Sequence, residues 1–479
     1  MTTRSPLRFL TATAGASLLL ASCAVGPKAP DATLPPSASG AFIGAVTPAV
    51  AAQAPRDDWW RLYEDPALDA LVRLALVENN ELEAATANLR RVRAALGEAR
   101  VGRFPATTTS AAFNTGRPSA ATLPAGSLPP GTEAPETDTY DAGLDVAYEI
   151  DLFGRVESTI RAARADADAA AAALDIIRVS VAAETARAYA DACSANAQIA
   201  VAERTIELQS NTVDLTQRLL DAGSGNGLDT ARARSALESS RASLPPLRAQ
   251  RDGALFRLAT LTGRTPAEAS EAARACQRPP QLSQPIPVGD GAALLARRPD
   301  VRRAERNLAA AAARVNVATA DLYPRISLGG SLGATALEAD GLGDSENFRF
   351  SVGPLISWSF PNVFAARARI EQASAGSDAA LATFDQTVLV ALQETETALA
   401  NYANELDRRA ALEAARNQAA TAARLSRLRF DAGADSFLTV LDAERTLAAA
   451  DAQLAASDAL VTTYQIALFK ALAGGWSEG

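Results

Sequence analysis

The chain has 479 residues, of which 48% are hydrophobic but only 5% aromatic, with a formal net charge of −9 and no histidine. So few aromatics, alongside runs such as Ala169 to Ala173 and Ala309 to Ala313, argue against several conventional cores and suit long helices packed through small side chains. Charge is interspersed without a Lys/Arg stripe, which argues against a nucleic-acid partner. Without His, a Gly-rich phosphate loop, a Cys cluster or a nucleophile elbow, no constellation for catalysis, a metal or a cofactor is present.

Residues 1–22 carry Arg4 and Arg8, then an apolar or small stretch over 9–20, closing on Leu20-Ala21-Ser22-Cys23. Such a stretch is too short for a permanent membrane helix and reads as a secretory signal. Its end looks like a bacterial lipobox, which implies lipidation of Cys23; Ala24, where an inner-membrane retention signal has Asp, implies outer-membrane sorting. Residues 23–58, rich in Pro, Ala and Ser, read as a lipidated tether without periodicity. Cys193 and Cys276 either pair, in an oxidising compartment, or stand as buried free thiols.

Beyond the tether the chain repeats itself. Residues 89–105 match 308–324, 146–153 match 353–360, Asp221-Ala222-Gly223 matches Asp431-Ala432-Gly433, and Leu261-Thr262-Gly263 matches Leu472-Ala473-Gly474. The first repeat, 59–276, reads as a helix from Pro66 to about Arg100, strands over 104–114 and 140–153, a long helix over 155–222 and a return helix over 228–262. The second, 277–475, reads as a helix over 291–322, strands over 325–334 and 348–360, a long helix over 362–432 and a return helix over 436–473.

Residues 155–222 contain no Gly or Pro, so they predict a helix of roughly 100 Å at 1.5 Å per residue. Apolar or small residues recur along it at heptad spacing, from Val181 through Ala188, Ala192, Ala195 and Ile199 to Val213 and Leu220. Gly223 and Gly433 end the two long helices where a left-handed cap turns the chain back. Pro245-Pro246 inside the first return helix is expected to kink or break it.

No later segment offers about 20 consecutive apolar residues, so a membrane crossing requires a closed barrel. Each predicted strand has roughly the 9–11 residues that cross a bilayer obliquely, yet about eight strands are needed for closure. A chain with four must therefore oligomerise. Three copies would give twelve strands, with the helices continuing the barrel as a tube.

The layout and its motifs resemble the TolC-like outer-membrane factor family, particularly the lipidated branch serving resistance-nodulation-division efflux pumps. The resemblance rests on Val25-Gly26-Pro27, Trp59-Trp60-Arg61 with Asp65-Pro66, Asp151-Leu152-Phe153-Gly154-Arg155, Arg298-Pro299-Asp300-Val301 with Ala304-Glu305, Leu322-Tyr323-Pro324, Leu441-Asp442-Ala443 and Phe469-Lys470-Ala471-Leu472-Ala473-Gly474-Gly475-Trp476. It departs at Ser359-Phe360-Pro361-Asn362, where many members carry a Gly-Arg pair.

The resemblance implies an α+β membrane protein with four β-strands per protomer in a 12-stranded trimeric β-barrel, continued by a long antiparallel helical periplasmic tube. It implies a homotrimer in outer-membrane lipid, partnered by a periplasmic adaptor (membrane fusion) protein and an inner-membrane pump, with no cofactor beyond the lipid on Cys23. The implied function is passive export of small molecules through a lumen pinched shut at the periplasmic tip. Family members form the pinch from a Leu and an Asp four residues apart after the Gly turn, which map onto Leu438 and Asp442, with Arg429 as a polar partner before the turn. The matching first-repeat positions are Leu228 and Arg232, so the acidic ring belongs to the second hairpin alone. Competing readings are the outer-membrane duct of a type I protein secretion system and a coiled-coil lipoprotein without a pore. The enzyme reading has no support in the residues.

Overall fold

The computed structural model describes residues 25–473 apart from 29, 31, 47, 120–128, 130–131 and 359–362. Residues 1–24, with the expected signal and the lipidation site Cys23, lie outside the described residues, as does the departing stretch 359–362. The chain forms two compact units, each drawing on both sequence repeats. One unit holds Arg90–Asp168 and Glu305–Ala382 with the residues before Ala32; the other holds Ala32–Leu89, Ala169–Ala304 and Thr383–Gly479.

The first unit contains an antiparallel sheet of four strands in the order β1 (Ala106–Gly116), β2 (Thr137–Ile150), β3 (Arg325–Ala336), β4 (Phe348–Ser357). β1 and β2 start and stop two or three residues from their predicted limits, and β3 runs on to Ala336. The register stacks Leu144 on Leu332 and Leu332 on Phe350, and on the opposite face Thr108 on Asp145 and Asp145 on Ser331. Alternating side chains thus give one apolar and one polar face, the pattern of a barrel between lipid and lumen. At the strand ends Phe153 stacks on Tyr323 with centroids 4.6 Å apart, joining the exit of β2 in the first repeat to the entry of β3 in the second.

The principal helices are α1 (Pro66–Glu78), α2 (Asn80–Val101), α3 (Arg155–Asp221), α4 (Gly227–Leu261), α5 (Gly291–Arg297), α6 (Pro299–Ala320), α7 (Val363–Asp431) and α8 (Phe437–Ala471). Two predicted single helices are each a pair. Asn79 separates α1 from α2 because its extended backbone lets Oδ1 accept from the N–H groups of Glu81 and Leu82, while Nδ2 donates to the Leu261 carbonyl. Arg298 separates α5 from α6 because a residue preceding proline is driven out of the helical region, and Pro299 then starts the next helix. Of the kink or break expected at Pro245-Pro246, the break does not occur. α4 runs through both prolines, which lie on its exposed side, where the freed carbonyls meet solvent.

The second unit is built around the middle of α3, where Ala182 to Cys193 is buried nearly all round. Trp59 stacks on Phe469 at 4.7 Å, and Trp60, Tyr63, Leu258, Ile286 and Leu399 complete the surrounding core. The Tyr189 hydroxyl donates to Asp65, whose other oxygen caps α1, so the Asp-Pro motif both starts a helix and fixes it to α3. Arg298, 8% exposed at its side chain, reaches Asp300 and Glu394 at 2.7 Å and the Ala471 carbonyl at 3.0 Å. Burial of a charge on this scale requires just such pairing.

The tether reading is corrected from Ala32 onward. Phe42 enters the core, the N–H groups of Ile43 and Gly44 donate to the Glu396 carboxylate at 2.7 and 2.9 Å, and Val50–Ala51 pairs in parallel with Ile286–Pro287. A segment without periodicity is held here by long-range backbone pairing, to which hydrophobic pattern is blind.

Candidate gate at the helical hairpin tips

Each long helix ends in the same backbone device. Gly223 and Gly433 take φ of +73° and +72°, a region costly for a residue with a Cβ. The Gly223 N–H donates to Leu220 and the Ser224 N–H to Leu219; the Gly433 N–H donates to Phe430 and the Ala434 N–H to Arg429. Both turns are therefore Schellman caps that satisfy the terminal carbonyls and send the chain back.

The side chains on these two frames differ. In the second hairpin Arg429 donates to Asp435 through Nε (2.7 Å) and Nη2 (3.2 Å), while its own carbonyl accepts from Ala434. Backbone and side chain of one residue thus clasp both ends of the turn. The hydrogen bond to Asp435, reinforced by its charge, raises the Arg429 pKa. In the first hairpin Leu219 stands in the place of Arg429, and Asn226 instead caps α4 by accepting from the Asp229 N–H.

α8 begins with two faces. Phe437 and Leu441 are buried against Ala233 and Ala236 of α4, with Phe430 edge-on to Phe437. Leu438, 50% exposed, and Asp442, also exposed, share the other face as their spacing of four dictates. In the first hairpin Leu228 is 58% exposed, but the following Arg232 faces Asp229 at 3.8 Å. Only the second hairpin thus offers an apolar side chain and a carboxylate in succession. Around a threefold axis they would make a hydrophobic ring and an anionic ring.

The structure brings Arg429 to Asp435, a residue the sequence did not single out, and not to Asp442. No pattern announces that pair, because its six-residue spacing crosses a turn. Also unforeseen is Glu444, which accepts from Thr212 of α3 at 3.0 Å and faces Arg427 of α7 at 3.3 Å. Away from the tip, Cys193 and Cys276 are joined in a disulfide with Cα atoms 5.1 Å apart, holding the segment between the repeats on α3. Asn196 donates to the Cys276 carbonyl beside it. Among the described residues no cluster of acidic or thiol groups is arranged to hold a metal ion, and no helix is long and apolar enough to cross a membrane.

The outer membrane efflux protein family model matches residues 71–264 and 292–474, one segment in each repeat. The chain is 30% identical over 473 residues to the outer membrane protein OprJ of Pseudomonas aeruginosa, covering 97% of this chain and 95% of OprJ. It is 31% identical to the solvent efflux pump outer membrane protein SrpC of Pseudomonas putida over 87% of each chain. The solved structure of the outer-membrane channel OprN superposes with a TM-score of 0.87 at 36% identity, over 95% of this chain and all of OprN.

Proposed function

The chain belongs to the outer membrane efflux protein family, and from that premise we propose that it is the exit duct of a tripartite efflux system. Its fold class is that of the trimeric outer-membrane channels: each protomer supplies four strands of a twelve-stranded barrel and a long antiparallel helical part built on two repeats. Small molecules are taken from an inner-membrane pump through a periplasmic adaptor and pass down their gradient to the exterior. The duct catalyses no reaction and needs no cofactor beyond the lipid on Cys23. Leu438 and Asp442 close it at the tip, and Arg429 holds the turn that presents them.

The observation that carries the gate is the two-faced start of α8. Phe437 and Leu441 fix the helix on α4, so Leu438 and Asp442 are left projecting together. Apolar compounds suit the duct, as SrpC belongs to a solvent efflux pump. Single-channel recording of the purified protein in planar bilayers tests the reading, comparing wild type with Leu438→Ala/Asp442→Ala. A small wild-type conductance that rises in the double variant supports a duct gated there. Equal currents move the gate elsewhere, and no current from folded protein in either removes the duct.

A further inference from the structure

Two residues beyond Asp442, on the face of α8 turned toward α3, a polar junction joins the two repeats. Glu444 accepts from the Thr212 hydroxyl and faces Arg427. Beside them is a cavity of about 30 Å³ lined by Thr205, Leu208, Gln209, Glu444, Leu447 and Asp451 among others. Gln209 is 5% exposed, and its Oε1, fully buried, meets no donor. Leaving such an acceptor unpaired costs more than most single contacts contribute.

The junction supplies no donor to Gln209 Oε1. The single Thr212 hydroxyl hydrogen is shared between Glu444 and the Leu208 carbonyl, 3.1 Å away. Arg427 divides its attention between Glu444 and Asp431, the latter at 3.9 Å on its own helix. Asp451, the other acid at the cavity, is already engaged by Arg416 of α7 at 2.7 Å. From α3 the cavity receives only neutral side chains. Gln209 Oε1 is therefore the acceptor that remains; it borders the same cavity as the Glu444 carboxylate, and the cavity has room for one water.

Resting on the duct reading, we propose that this junction is a proton-operated latch on the gate helix. One proton taken from solvent by Glu444 makes its carboxyl a donor toward Gln209 across the cavity and releases Arg427 to Asp431, so that acid fastens α8 to α3. Burial pushes the Glu444 carboxyl above its ordinary value of 4.5, against the pull of Thr212 and Arg427. A carboxyl with a raised folded-state pKa contributes stability that is complete below 4.5 and lost as pH rises through the raised value. Acid therefore tightens the latch and neutral pH slackens it. Because α8 carries Leu438 and Asp442, tightening it holds the gate shut.

The test is the conductance of the full-length trimer in planar bilayers between about pH 5 and about pH 8, for wild type and Glu444→Gln. The amide is uncharged at every pH and keeps a donor toward Gln209. Wild-type open probability is expected to fall at least about threefold in acid, with Glu444→Gln low and flat throughout. Parallel falls in both proteins, or a flat wild type, would overturn the latch while leaving the duct standing. If folded protein passes no current at all, the duct reading falls instead. The latch is then judged by amide exchange over 437–448, which must slow in acid beyond the intrinsic rate in wild type and not in Glu444→Gln.

Discussion

The two hairpin tips share a backbone and differ in what hangs on it. Both long helices end in a Gly with φ near +70° and in the same pair of capping hydrogen bonds. Yet one turn is clasped by Arg429 and Asp435 and followed by Leu438 and Asp442, while the other carries Leu219, Gly225, Leu228 and Arg232 at those four positions. Duplication supplied the scaffold twice, and a handful of side chains made one copy a candidate gate. Conformational requirements of a turn survive divergence because few residues meet them. Exposed side chains are free to specialise.

That comparison can be broken in order of expected effect. Phe437→Ala removes the ring that seats α8 on α4 and is expected to cost ~3–5 kcal/mol locally, read as a loss of more than a hundredfold in amide-exchange protection at the start of α8. Leu438→Ala/Asp442→Ala is expected to raise conductance on the order of tenfold, whereas Leu228→Ala/Arg232→Ala changes it less than about twofold; equal effects would erase the functional asymmetry. Gly223→Ala and Gly433→Ala are expected to cost ~1 kcal/mol each, with matched losses of exchange protection at the two tips, since both sites have positive φ and open space around the missing Cβ. A modest change is expected from Arg429→Ala: an exposed pair is screened by solvent, so open probability should rise only about two- to threefold. Asp435→Asn should match it, and the double variant should exceed neither.

Much of the fold was legible because it is local. The long stretches free of Pro and almost free of Gly predicted α3 and α7 to within a residue, period-two alternation found three strands, and loss of helical periodicity in a Thr-rich stretch found the first. Less was legible where side chains made other choices. Asn79 splits a helix that its neighbours favour, because its amide caps one helix and reaches Leu261 of another. Of the candidate site, Leu438 and Asp442 came from a family resemblance and Arg429 from its place before the turn, and their geometry sets them on a common tip without bringing Arg429 to Asp442. The clasp with Asp435 and the junction at Glu444 have no sequence signature.

What the sequence determined by itself was the repeat, the helix and strand periods, the glycine turns and the need for oligomers to close a four-stranded sheet. Each follows from dihedral preference, side-chain alternation or backbone hydrogen-bond satisfaction, which act over a few residues or on simple counts. Tertiary structure alone decided that Ile43 and Gly44 are strapped to Glu396, that Arg298 is buried between Asp300 and Glu394, and that Glu444 meets Thr212. All of those contacts but Arg298–Asp300 join residues far apart in the chain. Their strength depends on burial and on the charges brought beside them, which exist only once the helices have packed.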